Sequence, residues 1–172
     1  MNKNEKYELE YVRCNLCGED NAKFLYLVDG FKLVKCNNCG LIYINPRIKS
    51  EQLDEFYQDY FASRIFGLQE RLAMYKIDIK DLEKEKRGGK ILDVGCEGGF
   101  FLNSLGNHWE KYGCELNLNA CRHAEKEFGL DNIFAGDLLE IDLPKDFFDV
   151  VHIRGTIEHL KDPKGNLEKM YK

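Results

Sequence analysis

The sequence predicts an α/β fold: a short parallel sheet, preceded by a small cysteine-rich module and a helical segment. Three observations carry this. Apolar runs of strand length at residues 90–94, 109–114, 133–135 and 147–153 alternate with helical patterns, as in chains that build β-α-β units. The first run passes directly into Gly95-Cys96-Glu97-Gly98-Gly99 and then a helical stripe of Phe100, Phe101, Leu102 and Leu105. Ahead of the alternation, Cys14-x-x-Cys17 and Cys36-x-x-Cys39 enclose eighteen residues.

Composition narrows the setting. The chain has 172 residues, 44% hydrophobic and 32% charged, ordinary for a soluble globular protein. Its first residues, MNKNEKYELEYVR, are too charged for a signal peptide, and no run is apolar enough to span a membrane. Seven cysteines without an export signal point to a reducing cytoplasm rather than a disulfide framework. The net charge of -5 is uneven: residues 1–50 hold eight Lys/Arg against six Asp/Glu (+2), and residues 51–172 hold seventeen against twenty-four (-7). That balance argues against broad nucleic-acid contact.

In chain order, residues 1–49 read as a zinc ribbon. Two CxxC knuckles supply four thiolates at the spacing of a tetrahedral site, so Cys14, Cys17, Cys36 and Cys39 are the expected zinc ligands. Gly18 and Gly40 follow the second cysteine of each pair, where a knuckle turn favours glycine. Residues 23–28 and 31–34 read as strands around an Asp29-Gly30 turn, and a third run covers residues 41–44. With so little apolar material, the module is expected to draw much of its folding energy from metal. Four cysteine ligands leave no open position for catalysis, so the metal is read as structural.

Residues 50–88 turn helical. Ser50 is the expected N-cap, with Glu51 favourably near the positive end of the helix dipole. Leu53, Phe56, Tyr57, Tyr60 and Phe61 form a stripe at helical spacing. A second helix is expected from Leu68 to about Lys86, with Leu72, Tyr75, Ile79 and Leu82 inward, ended by Arg87-Gly88-Gly89. Core packing accounts for most of the aromatic stripe, with Tyr57, Tyr60 and Arg64 as the exceptions to test.

Strand, glycine turn and helix together make the architecture that binds nucleotide-like cofactors at the carboxyl edge of a parallel sheet. The spacing of Gly95, Gly98 and Gly99 departs from the dinucleotide pattern G-x-G-x-x-G. Asp93-Val94-Gly95-Cys96-Glu97-Gly98 instead resembles the first motif, DVGCGxG, of class I S-adenosylmethionine (SAM)-dependent methyltransferases. Glu97 stands where that family has its second glycine. If this position needs positive φ, Glu97 carries a strain of about 1 kcal/mol or more.

The resemblance implies a Rossmann-like SAM-binding sheet over residues 89–172, with the helices of residues 50–88 as a lid. It places Asp93, Gly95, Cys96, Glu97 and Gly99 around the cofactor. Glu115, twenty-two residues after Asp93, is expected to accept the ribose hydroxyls, with Leu116 on the adenine face. By position, Asp137 would accept the adenine amino group and the backbone N–H of Leu138 would reach a ring nitrogen. Arg154 opens the segment after the fourth strand and is expected at the SAM edge as a cofactor-binding residue; this segment resembles the family's EHL segment at Glu158-His159-Leu160. His159 is the candidate general base, with Glu158 beside it; a hydrogen-bonded scaffold role is the other reading. His108, His123 and His152 have no supporting motif, and Cys96, Cys114 and Cys121 read as buried thiols. The cysteine module, CxxCG…CxxCGLxYxxP, is similar to that of zinc-bearing bacterial methyltransferases, several of which act on nucleotide-linked sugars.

Only four sheet strands are encoded, in the expected order 3-2-1-4, whereas the family's full domain has seven. The chain is therefore expected to be a fragment, with an open fourth strand inviting self-association, and by itself to bind SAM weakly or not at all and show no appreciable turnover. The expected function is methyl transfer from SAM to a small-molecule acceptor. Two alternatives are methylation of RNA or DNA through the ribbon, and a non-catalytic remnant that keeps the zinc and SAM modules.

Overall fold

The computed structural model describes residues 6–58 and 67–171. Tyr60, Phe61 and Arg64, and the side chain of Tyr57, lie outside the described residues. The cysteine module forms two small sheets. Strands β2 (Ala22–Val28), β3 (Phe31–Cys36) and β4 (Ile42–Ile44) are antiparallel in that order, while β1 (Leu9–Glu10) pairs with β5 (Arg47–Ile48). Asp29 and Gly30 both have positive φ, 50° and 85°, as the tight turn of a two-residue hairpin requires. The expected third run is one residue shorter than read, since Leu41 instead lends its carbonyl to the Cys36 N–H at 2.8 Å.

The expected helix at Ser50 begins differently. Lys49 is extended, residues Ser50–Gln52 make a single 3-10 turn without a side-chain cap, and helix α1 follows at Leu53–Gln58. Ser50 is thus no N-cap: the chain leaves β5 with the Lys49 N–H bonded to Glu8, and tightens before it can coil. Helix α2 (Leu68–Glu85) matches the second expected helix. Its Tyr75, Ile79 and Leu82 pack on the core as read.

The main sheet contains β6 (Gly89–Val94), β7 (Trp109–Glu115), β8 (Ile133–Ala135) and β9 (Val150–Ile153), all parallel, in the order β8-β7-β6-β9. This is the 3-2-1-4 order expected. Alternation along β6 divides the core between its two faces. Ile91 packs with Phe101, Leu102, Leu105, Trp109 and Ala124; Leu92 and Val94 pack with Cys114 and Leu138. The first face is covered by α2, α3 (Phe100–Ser104) and α4 (Leu118–Phe128), and the second receives Met170 of α5 (Pro163–Met170).

Helix boundaries follow local chemistry. Asn117 caps α4 by accepting from the N–H groups of Asn119 and Ala120, and Gly129 closes it at φ 64°. Asp162 caps α5, with Pro163 in its first turn. β9 is shorter than expected, because Phe147 and Phe148 leave the ladder to pack edge-on against Tyr112 and each other. β7 and β8 follow β6 on one side, and the chain then returns to place β9 on the other. The crevice of such a sheet lies where the order reverses, between the loops that leave β6 and β9.

Candidate active site and metal centre

The glycine turn is held against the end of β7. The N–H groups of Gly95 and Cys96 both donate to the Cys114 carbonyl, at 2.8 and 3.1 Å. Gly95 has φ 74°, and a Cβ there would lie 2.4 Å from Thr156 Oγ1. Only glycine lets the loop after β6 and the loop after β9 approach so closely. Gly99 is constrained the same way, at φ 79° with a would-be Cβ 2.6 Å from Leu130 Cδ1.

Glu97 sits at φ 48°, so the strain foreseen for this position is present, about 1 kcal/mol. Two contacts offset it. Its N–H donates to Glu115 Oε2 at 3.0 Å, and its carboxylate pairs with Arg71 of α2. Arg71 is 8% exposed, and nothing in the local sequence of α2 marks it as the inward cation.

Glu115 is the focus of this edge. While Oε2 receives Glu97, Oε1 accepts the Asn117 N–H at 2.8 Å. Burial pushes its carboxyl above the usual range, against the opposing pull of those N–H groups. Leu116 beside it is largely exposed. The Gly136 N–H reaches the Glu115 carbonyl at 2.9 Å, bringing the segment after β8 alongside. There Asp137 accepts the Leu139 N–H at 2.9 Å. The Leu138 side chain is buried in the second core cluster, so Leu138 can contribute only backbone to the edge.

Asp93 is 4% exposed and lies 2.7 Å from His152 Nδ1, its register partner on β9. His152 in turn stacks on Phe101, with ring centroids 3.8 Å apart and planes 11° apart. The sequence offered no motif for His152; its role follows from the pairing of β6 with β9. Arg154 donates to both carboxylate oxygens of Asp78, at 2.6 and 2.8 Å, which fixes the start of the β9 loop to α2. Glu158 and His159 lie in an exposed 3-10 turn, Ile157–His159. Cys96, Cys114 and Cys121 are buried, and burial pushes each thiol up, so they have the character of core residues.

The four expected metal ligands converge. The Sγ atoms of Cys14, Cys17, Cys36 and Cys39 all lie within 4.8 Å of one another, with Cys14–Cys39 at 3.5 Å and Cys17–Cys36 at 3.6 Å. A tetrahedron with bonds of about 2.3 Å has edges of about 3.8 Å, so the donor set suits zinc. The surroundings point the same way. Phe24, Tyr26, Leu27 and Ile42 are exposed, and Cys14, Val34, Cys36 and Ile48 are the buried apolar residues of the module among those described. That is too small a core to order three strands unaided.

The Asp93–His152 pair gives a pH signature. Burial raises the Asp93 carboxyl above its ordinary value, with the His152 bond opposing. A raised folded-state pKa means that the contribution to stability is full below the unfolded value and is lost as pH rises through the folded one. Denaturant unfolding should therefore show Asp93→Asn gaining stability relative to wild type as pH rises from about 4 through that interval. A difference independent of pH would show that Asp93 is not desolvated.

Comparison with known proteins agrees with this geometry. The family model described as "Methyltransferase domain" matches residues 66–172, well over half the chain. Phosphoethanolamine N-methyltransferase 3 of Arabidopsis thaliana is 32% identical over 102 residues, covering 56% of this chain and 20% of that protein. The chain thus spans about a fifth of the length of that relative. Among solved structures, the sugar N-methyltransferase KedS8 of Streptoalloteichus sp ATCC 53650 matches with a TM-score of 0.52 and 23% identity, over 63% of this chain and 45% of that one. A TehB-like SAM-dependent methyltransferase of Corynebacterium glutamicum matches with a TM-score of 0.51 and 22% identity, over 68% and 66%. At these identities both show a shared fold. Among the described residues no helix is long and apolar enough to cross a membrane. With its glycine turn, edge carboxylates and sheet order in place, the chain belongs to the methyltransferase-domain family.

Proposed function

We propose that the protein is a SAM-dependent methyltransferase acting on a small molecule, with zinc as a structural ion in its N-terminal module. The observation that carries this is the meeting of the glycine turn with the Glu115 carboxylate at the carboxyl edge of the sheet, through the Glu97 N–H. When bound, SAM supplies a methyl group made electrophilic by its sulfonium sulfur. Glu115 would receive the ribose hydroxyls, Leu116 would cover one adenine face, and Asp137 with the Leu138 N–H would read the adenine edge. Gly95, Cys96, Glu97 and Gly99 would hold the amino-acid end through the glycine turn. Asp93 acts from beneath by orienting His152, and Arg154 holds the β9 loop through Asp78.

Catalysis in this reading rests on holding donor and acceptor in line. His159, in the turn after β9, takes the acceptor's proton onto an imidazole nitrogen, with Glu158 adjacent. The phosphoethanolamine N-methyltransferase relative is named for a small phosphorylated amine, which favours a small-molecule acceptor over nucleic acid. A nucleotide-linked sugar is the acceptor class suggested by the module's resemblance to those of sugar methyltransferases.

Two measurements test these readings. Glu115→Ala should weaken SAM binding by about 1–3 kcal/mol, the range for bonds to a charged group, and calorimetry giving equal affinity would remove Glu115 from the site. Zinc analysis should return one equivalent per chain, lost in Cys36→Ser. Unchanged zinc content in that variant would contradict the four-cysteine centre.

A further inference from the structure

One carbonyl joins the cysteine module to the loop that follows β9. The Lys161 oxygen accepts from Asn15 Nδ2 at 3.2 Å and from Arg47 Nη1 at 3.2 Å. Neither donor is a casual surface group. Asn15 lies inside the first cysteine pair, in a turn closed by the Gly18 N–H on the Cys14 carbonyl at 2.8 Å and the Cys14 N–H on the Glu19 carbonyl at 3.0 Å. Its side chain therefore points where the knuckle points.

Arg47 is fixed from the other side of the module. It lies on β5 opposite Glu10, and its Nε holds Glu10 Oε1 at 3.0 Å. Asn45, two residues before it, exchanges two bonds with the Val12 backbone and sends its N–H to Lys32 of β3 at 3.0 Å. β3 ends at Cys36, which supplies one of the four thiols. Both donors to Lys161 thus trace back within a few bonds to the metal centre.

The acceptor end is equally well defined. Lys161 closes a strap, residues 156–162, that starts at Thr156 against Gly95 of the cofactor turn. Within the strap the His159 N–H bonds the Thr156 carbonyl at 2.9 Å, and the Leu160 N–H bonds that of Ile157 at 3.3 Å. Asp162 then caps α5. The strap is short, carries Glu158 and His159, and rests on the glycine turn at one end and the knuckle at the other. The glycine turn and the knuckle are thus among the anchors on which its order depends, alongside the cap it gives to α5.

We propose that Asn15 and Arg47 are positioning residues that couple the metal centre to residues 156–162, so that metal in the four-cysteine site sets the order of the strap beside the cofactor turn. This rests on the zinc and methyltransferase readings given above. Metal fixes the knuckle, the knuckle fixes Asn15 and the β1–β5 ribbon, and these hold the Lys161 carbonyl. Coupling of this kind is reciprocal: a ligand that orders the cofactor turn and strap tightens the metal site in return. A metal with no open coordination position then acts on the active site without touching substrate.

The test is amide hydrogen exchange of the whole chain, read in peptides covering residues 156–162 and, as an internal reference, β6 and β7. Three samples are compared: zinc-loaded wild type, wild type stripped by a chelator, and an Asn15→Ala/Arg47→Met double variant loaded with zinc. The double variant keeps all four cysteines and the Arg47 stem, so its zinc content should equal that of wild type. Stripping should accelerate exchange in the strap roughly tenfold, on the scale of local opening, with β6 and β7 unchanged. The double variant should match the stripped protein while retaining metal. Wild-type exchange in the strap of either sample overturns the coupling. A chain that takes up no zinc overturns the metal reading instead, and elemental analysis of the same samples distinguishes the two failures.

Discussion

Two backbone N–H groups from different loops converge on one carboxylate, that of Glu115, and the geometry of the cofactor edge depends on that convergence. The Glu97 N–H belongs to the turn after β6 and the Asn117 N–H to the entry of α4. Without the carboxylate, the first would be a partly buried donor in a strained turn and the second an open helix end. Both are costly when unpaired, by about 1–3 kcal/mol each. The carboxylate pays in return through its own desolvation, visible in its raised pKa. A buried acid with donors already aimed at it is preorganised to receive further donors, such as paired hydroxyls, without reorganising the loops around it.

A second constraint is the contact of Gly95 with Thr156. It lets the loops after β6 and β9 share one crevice. Asp78 holds the first residue of that loop through Arg154, and the cysteine module holds its far end through Lys161. The loop is therefore fixed by α2 at its start and by the cysteine module at its end. Small polar contacts do this work because they lie where the large apolar clusters do not reach.

Much of the architecture was legible in the sequence, because its strongest signals are local. The glycine turn follows a buried strand directly, and the cysteine pairs keep knuckle spacing. Pairings between distant segments were not legible. Asp93 meets His152 only because β6 and β9 run in a particular register across 59 residues, and no local pattern fixes that register. Arg71 is buried because Glu97, in a position that usually holds glycine, gives it an anion; neither residue predicts the other alone. Ser50 failed as a cap because tertiary pairing of the preceding strand overrides capping preference. The shortened β9 reflects aromatic packing of Phe147 and Phe148 on Tyr112, which competes with the ladder.

The central claim is that the Glu115 edge is where SAM lies, and the amides around it report on this directly. In a proton–nitrogen correlation titration with S-adenosylhomocysteine, the amides of Glu97, Asn117 and Leu138 should shift together and saturate. Those of the Asp29–Gly30 hairpin turn should stay in place. Binding that leaves these three amides unmoved, or that moves only residues far from the carboxyl ends of β6, β7 and β8, would contradict the account.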